Sequence, residues 1–267
     1  MRISSRKVIA DRIEFMKPYE KILDISQGVE FPDWFVGGTT NIVENSLDRH
    51  RDTDIWTSPA ILGESEAGET RIWTYEKLSE EVSRLAAGLK SLGVTPGEVV
   101  AIYMPNVNEA VAGFLAITKI GAVAMPLFSG FGVDAIVARL KASGAVAILT
   151  VDGTTRRGQT APMKQFVDAA VLLAPDVRNV ICLMNAGLQV TMGEKDVDWA
   201  ELCKDKPANM PNLELPAEAP ALLVFTSGTS GLPKGTVHTH GGFAAKLSLD
   251  LGLMMDMKPT DRIIWFS

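Results

Sequence analysis

Between Thr74 and Met184 the hydrophobic pattern keeps changing period, and this alternation restricts the fold more than any other feature of the chain. Leu78, Val82, Leu85, Ala86, Leu89 and Leu92 recur three or four residues apart behind an N-capping Thr74 and stop at Gly93, which predicts a helix. Val99 to Tyr103 reads as a short apolar strand ended by Pro105, Val107 to Ile120 as an apolar helix ended by Gly121, and Ala122 to Pro126 as a second buried strand. Val133 to Ser143 is then a helix closed by Gly144, Ala145 to Thr150 a strand, Pro162 to Leu173 a helix and Val180 to Met184 a further strand. Continuous apolar strands joined by helical crossovers belong in a parallel sheet covered on both faces. The expected fold class is α/β: a three-layer, mostly parallel sheet with helices on both faces, plus an incomplete second sheet near the end of the chain.

The flanks carry weaker patterns. The first thirty or so residues mix charges and aromatics without a sustained period and are expected to form a wrapping arm, closed by the turn formers of Phe31 to Gly38. A helix is expected from Asn41, with Val43, Leu47 and His50 on one face, and then an early hairpin flanked by Ile55-Trp56 and Ile72-Trp73 around the acidic loop Gly63 to Thr70. Lys204 to Pro220 is rich in proline and reads as a surface connection; strands at Ala221 to Phe225 and Gly235 to His240, a helix at Gly242 to Met254 and one more apolar strand from Ile263 follow. The expected division is 1–74 for the arm and hairpin, 75–206 for the α/β subdomain and 207–267 for the opening of a second one. A chain ending inside a strand pattern is expected to be part of something longer, and its uncovered strand edge to invite self-association.

Composition removes several classes of function. Of 267 residues, 46% are apolar and 22% charged, an ordinary globular balance, and 26 basic against 32 acidic side chains leave −6, which gives no overall attraction for a nucleic-acid backbone. Cys182 and Cys203 have neither CxxC spacing nor a companion cluster, so neither a disulfide framework nor a zinc site is indicated, and a reducing, cytoplasmic setting is expected. After Arg2, Arg6 and Lys7 only Val8 to Ala10 is apolar, too short for a signal-peptide core. The most apolar window, Ala110 to Leu127, is broken by Lys119 and Gly121, so no membrane partner is expected.

The chemistry is concentrated in Thr226-Ser-Gly-Thr-Ser-Gly-Leu-Pro-Lys-Gly235, which follows a buried strand and combines four hydroxyls, three glycines and one cation. Glycines let backbone N–H groups converge on an anion, hydroxyls donate to phosphate oxygens and Lys234 adds charge. It is not a Walker loop: counting from Gly228, Pro233 stands in place of the second glycine, Gly235 follows the lysine, and a strand comes next where a Walker loop opens a helix. On composition alone the segment is equally a flexible Gly/Ser turn of a hairpin. His238 and His240 share a face of the expected strand, but with no third ligand apparent no metal site is assigned.

The segment Thr226 to Gly235, with His238-Thr-His-Gly-Gly242, resembles the phosphate-binding signature of the adenylate-forming, AMP-binding superfamily. Trp34-Phe-Val-Gly-Gly38, Asn41, Leu47-Asp-Arg-His50, Val99 to Pro105 and Gly121-Ala-Val123 resemble its acetyl-CoA and short-chain acyl-CoA synthetase branch. The resemblance implies the amino-terminal domain of that fold and a two-step reaction: ATP and a carboxylate give an acyl-adenylate and pyrophosphate, then the thiol of CoA displaces AMP. It assigns Thr226, Ser227, Gly228, Thr229, Ser230, Gly231 and Lys234 to the ATP phosphates, and ATP, Mg²⁺ and CoA as cofactors and substrates.

A second site follows from the same resemblance. Phe128-Ser-Gly-Phe131 is similar to a segment whose aromatic lies against the CoA nucleotide, and Arg156-Arg-Gly-Gln159 to one that meets the CoA phosphates. Phe128, Ser129, Gly130, Arg156 and Arg157 are thus the expected CoA-binding residues; the last basic position is Gln159, and Arg157 is the neighbouring guanidinium able to compensate. The family's catalytic lysine, ribose-binding segment and magnesium-holding glutamate come later in its chains, so no catalytic residue is assigned here and the chain alone is expected to be inactive. The alternatives are a non-catalytic nucleotide- or CoA-binding module, an adenylating enzyme that loads a carrier protein, and a P-loop kinase, which requires a helix beginning at Lys234.

Overall fold

The architecture is described from a computed structural model covering residues 5–226 and 234–264. The arm begins with helix α1 (Ser5–Ala10), followed by the antiparallel pair β1 (Lys21–Asp24) and β2 (Asp33–Val36). Phe35 of β2 closes a small core with Ala10, Ile13, Ala217 and Ala244. Strand β3 (Thr39–Thr40) leads into helix α2 (Ile42–Ser46), whose N-cap is Asn41, and a 3₁₀ turn follows at Asp48–His50. The early hairpin is β4 (Pro59–Glu64) and β5 (Thr70–Thr74). Its expected first flank, Ile55-Trp56, lies in a turn instead, where Arg51 stacks on the Trp56 ring at 4.9 Å and the Trp56 carbonyl accepts from the Glu76 amide.

The alternating centre matches its pattern closely. Helix α3 (Tyr75–Ser91) is capped by Thr74, whose hydroxyl accepts from the Lys77 amide, and is followed by β6 (Val99–Tyr103), α4 (Asn108–Lys119) and β7 (Val123–Pro126). Then come α5 (Val133–Ser143), ended by Gly144 in the left-handed conformation, and β8 (Ala147–Val151). A short hairpin absent from the sequence expectation, β9 (Thr154–Arg156) with β10 (Gln159–Ala161), precedes α6 (Met163–Leu173) and β11 (Asn179–Leu183). Strand β12 (Asp196–Asp198) and helix α7 (Trp199–Cys203) complete this region.

The stretch expected as a surface connection is a strap. Its strand β13 (Leu215–Pro216) pairs with β3, and Asn212 and Leu213 reach the buried end of α4. Strands β14 (Pro220–Thr226) and β15 (Lys234–Thr239) form a hairpin, then α8 (His240–Leu247) runs on as a π-helical turn at Ser248–Met254. Ile263 and Ile264 are not in a strand, and the remainder of that expected strand, from Trp265, lies outside the described residues.

One seven-stranded sheet, in the order β12-β11-β8-β6-β7-β14-β15, carries the molecule; all its strands are parallel except β15. The α/β class stands, but the expected second sheet is, among the described residues, an extension of this one. Leu222 of β14 pairs with Ala124 on the open side of β7, giving the apolar edge of β7 a partner that the hairpin alone supplies. The chain steps from β6 to β7 in one direction and from β7 to β8 in the other, so right-handed crossovers send α4 and α5 to opposite faces. Helices α3, α4 and α7 pack together on one face, α5 and α6 on the other. Leu85, Leu89, Ile117, Ile148, Leu149, Ile136 and Val167 fill the layers between and are fully buried.

A polar cluster is locked inside this packing. The ammonium of Lys119, with no exposed surface, donates to Asp48 Oδ2 at 2.9 Å and to Asn212 Oδ1 at 2.7 Å, while Arg51 and Ser79 donate to Asp48 Oδ1. Burial presses the Lys119 pKa down and Asp48 opposes that; burial works against the Asp48 charge too, but Lys119 and Arg51 hold its carboxyl below the usual range.

Candidate functional site

In a parallel sheet every strand points its carboxyl end the same way, and ligands bind beyond those ends where crossovers part to opposite faces. Strand β6 leaves towards α4 and β8 towards α6, so the parting lies between these two neighbours. The segments singled out in the sequence all emerge at this edge: Phe128 after β7, the Arg156 hairpin after β8, and the Thr226–Lys234 loop after β14. Beyond the paired Ala124 and Leu222, β7 ends at Pro126, two residues before Phe128, and β14 runs on to Thr226. With strands about 4.8 Å apart, the β8 and β14 ends are separated by roughly 14 Å.

Thr226 and Lys234 face each other as the last pair of the β14–β15 hairpin, the threonine hydroxyl donating to the Lys234 carbonyl at 3.5 Å. Both residues are exposed. Ser227, Gly228, Thr229, Ser230 and Gly231 lie outside the described residues. Lys234 opens a strand and not a helix, so the kinase alternative, with its Walker-type context, is removed.

Phe128 is half exposed and meets Phe131 edge-on at 5.6 Å between ring centroids. The turn is held from two sides: Tyr103 donates its hydroxyl to the Phe131 carbonyl at 2.8 Å, and the Arg139 guanidinium lies 4.1 Å over the Phe131 ring. Ser129 and Gly130 stand between the two phenylalanines in sequence, and a Cβ on Gly130 would come within 2.6 Å of the Phe128 ring, so only glycine lets this aromatic lie back over the turn.

Arg156 and Arg157 are exposed on the β9–β10 hairpin, whose two-residue loop has positive φ at both Arg157 (54°) and Gly158 (71°), the signature of a type I′ turn. Its root is fixed by Asp152, a residue the sequence reading missed. The buried Asp152 carboxylate accepts from the amides of Gly153, Asn185 and Ala186 through Oδ1, and of Leu188 through Oδ2, at 2.7 to 2.9 Å. Burial opposes the charge, yet these four donors hold the carboxyl below its usual range. The one signal was an aspartate followed by glycine at the end of an apolar strand; nothing local marked Arg139, whose role depends on a ring eight residues away in the turn before its helix.

The two histidines do not form a metal pair. His238 packs its ring against Phe243, whereas His240 begins α8 and is buried, its Nδ1 accepting from the Ile42 amide at 3.0 Å. Among the described residues no group of three or more His, Cys, Asp or Glu is placed to hold a metal ion. Burial pushes the His240 pKa down to about 4, from 6.5. The unfolded chain therefore binds that proton more readily than the folded one between these values, and His240's contribution, on the order of 3 kcal/mol, is complete above pH 6.5 and lost as pH falls to 4. Calorimetric melting should show His240→Asn, which keeps an acceptor for Ile42, flatter over this range than the wild type; equally steep curves would exclude His240 as the cause.

The sequence profile of the AMP-binding enzyme family matches residues 44–267, and that of the acetyl-coenzyme A synthetase N-terminus matches 7–46. The chain belongs to the AMP-binding enzyme family. Among curated relatives, it is 36% identical to an acetyl-coenzyme A synthetase of Mycolicibacterium smegmatis, over 96% of this chain and 27% of that protein. It is 37% identical to one of Methanothrix thermoacetophila, over 94% and 38%. In solved structures it superposes on acetoacetyl-CoA synthetase from Streptomyces lividans with a TM-score of 0.89 at 29% identity, covering 98% of this chain and 40% of that one. The chain thus spans well under half the length of these relatives. Among the described residues no helix is long and apolar enough to cross a membrane.

Proposed function

We propose that this chain forms the amino-terminal part of an AMP-forming acyl-CoA synthetase, an acid–thiol ligase that joins a short-chain, acetate-like carboxylate to CoA by way of an acyl-adenylate. The observation that supports this reading is the shared sheet edge, which gathers a hydroxyl- and glycine-rich loop, an exposed aromatic and an arginine hairpin along one line. The relatives' names, acetyl- and acetoacetyl-CoA synthetase, point the same way.

In this reading the carboxylate oxygen attacks the α-phosphorus of ATP and pyrophosphate leaves. Lys234 and Thr226, with Ser227, Gly228, Thr229, Ser230 and Gly231, hold the β and γ phosphates, meeting the departing charge with donors and a cation. Phe128, with Ser129 and Gly130 shaping its turn, offers its ring to the CoA nucleotide, and Arg156 and Arg157 face the CoA phosphates. The reading includes Mg²⁺ on the phosphates, but the described residues supply no metal-ligating cluster and no step is routed through the ion. We place the protein in the cytoplasm, consistent with two buried, unbridged cysteines whose thiols burial pushes up to about 12.

The test is carboxylate-dependent ATP–pyrophosphate exchange with acetate, propionate and butyrate, on this chain and on the product of the same gene read to its natural stop codon. Exchange is expected from the longer product, and Lys234→Ala should lower it roughly 100-fold. Exchange that ignores the added acid, or that survives this substitution undiminished, would overturn the assignment. A second reading, transfer to a pantetheine arm on a carrier protein, is favoured by Gln159 at a position where the family carries a base; thioester formation on free CoA decides against it.

A further inference from the structure

The β9–β10 turn already holds an anion from within the chain. Its outward amide, on Gly158, donates to Glu66 Oε1 at 3.2 Å across 92 residues of sequence. Glu66 is brought there by construction. The loop between β4 and β5 is closed by its own hydrogen bonds, Ser65 N to Glu69 O and Gly68 N to Ser65 O, both at 2.9 Å. The hairpin beneath it is fastened to α4 by Arg71, whose guanidinium donates to both oxygens of Glu109, at 3.1 and 2.5 Å. Helix α4 covers one face of the sheet and the arginine hairpin leads into α6 on the other, so the Glu66 contact bridges the parting between β6 and β8.

Arg156 and Arg157 have no hydrogen-bond or ion-pair partner among the described residues, and Gln159 adds no charge, so Glu66 brings a negative charge to the turn through its backbone donor and leaves both guanidiniums unpaired. We propose that Glu66 is a specificity-determining residue of the acceptor site: its carboxylate holds the anion position of the Arg156–Gln159 turn, and a ribose 3′-phosphate gains that position only by displacing it. This rests on the acceptor-site reading above and adds that the site, as built, discriminates weakly between a CoA nucleotide and the same nucleotide without its 3′-phosphate.

The probe is adenosine 3′,5′-bisphosphate, titrated calorimetrically into this chain, with 5′-AMP as the control lacking the 3′-phosphate. Glu66→Ala should bind the bisphosphate about five-fold more tightly, Glu66→Gln should fall between it and the wild type, and AMP affinity should not move. Equal bisphosphate affinity in wild type and Glu66→Ala overturns the role of Glu66. So does an equal gain for AMP, which marks a general charge effect. The Arg156→Ala/Arg157→Ala double variant should lose bisphosphate binding; if it binds as the wild type does, or if neither nucleotide binds any variant, the acceptor-site reading itself fails and the proposal falls with it.

Discussion

Replacing Lys119 with methionine is expected to cost about 3–5 kcal/mol of folding stability, because it strands the Asp48 carboxylate in the interior without its buried ammonium partner, with only Arg51 and Ser79 left to donate to it. Methionine fills the space of the aliphatic stem, so the loss reports the charge and the two hydrogen bonds, not a cavity. The effect spreads beyond the pair: Asn212 loses its donor, and with it one of the ties between the strap and α4. Urea unfolding followed by circular dichroism measures this directly, and the double variant Lys119→Met/Asp48→Asn should recover a substantial part of the loss. A single variant as stable as the wild type would show that this buried pair contributes nothing.

Asp152→Ala should be nearly as damaging, by about 4 kcal/mol near neutral pH, since four amides lose a charged acceptor in a place with little access to water. Its folded pKa lies below the unfolded value, so the stabilisation is present above the ordinary aspartate range and is lost as pH falls through the depressed value. The wild type and the variant should therefore converge in stability as the solution is acidified. Asp152 also accepts, through its backbone carbonyl, from the amides of Met163 and Lys164, so the arginine hairpin is tied at both ends to this residue. Loss of stability without any loss of bisphosphate binding would separate the fold from the hairpin and contradict that coupling.

The centre of the fold was legible because burial on both faces writes itself into local sequence: β6 and α5 have the bounds their apolar patterns set, and Thr74 and Gly144 cap where expected. What remained hidden was decided by partners distant in sequence. β14 is an apolar strand by itself, but nothing in its residues says that its neighbour is β7 and not a new sheet. The β9–β10 hairpin is polar, exposed and three residues a side, and Asn212 looked like part of a loop until Lys119 appeared beneath it. For the candidate site, the Thr226–Gly235 segment and the arginines were recognisable as motifs, whereas Asp152, Arg139 and Glu66, which anchor or touch the neighbouring turns, are ordinary residues made special by contacts 8 to 92 positions away.

The sheet's order also sets the sequence in which it can be made. During synthesis β6, β7 and β8 are complete within one short stretch of chain and β11 and β12 soon after, so the parallel centre can close while the β14–β15 hairpin is still to come. That hairpin joins β7 about a hundred residues after it, through the single register pair Leu222 and Ala124. The β14–β15 hairpin is therefore the part of this sheet that can be seated last, against a centre that is already closed and along a seam with a single register pair.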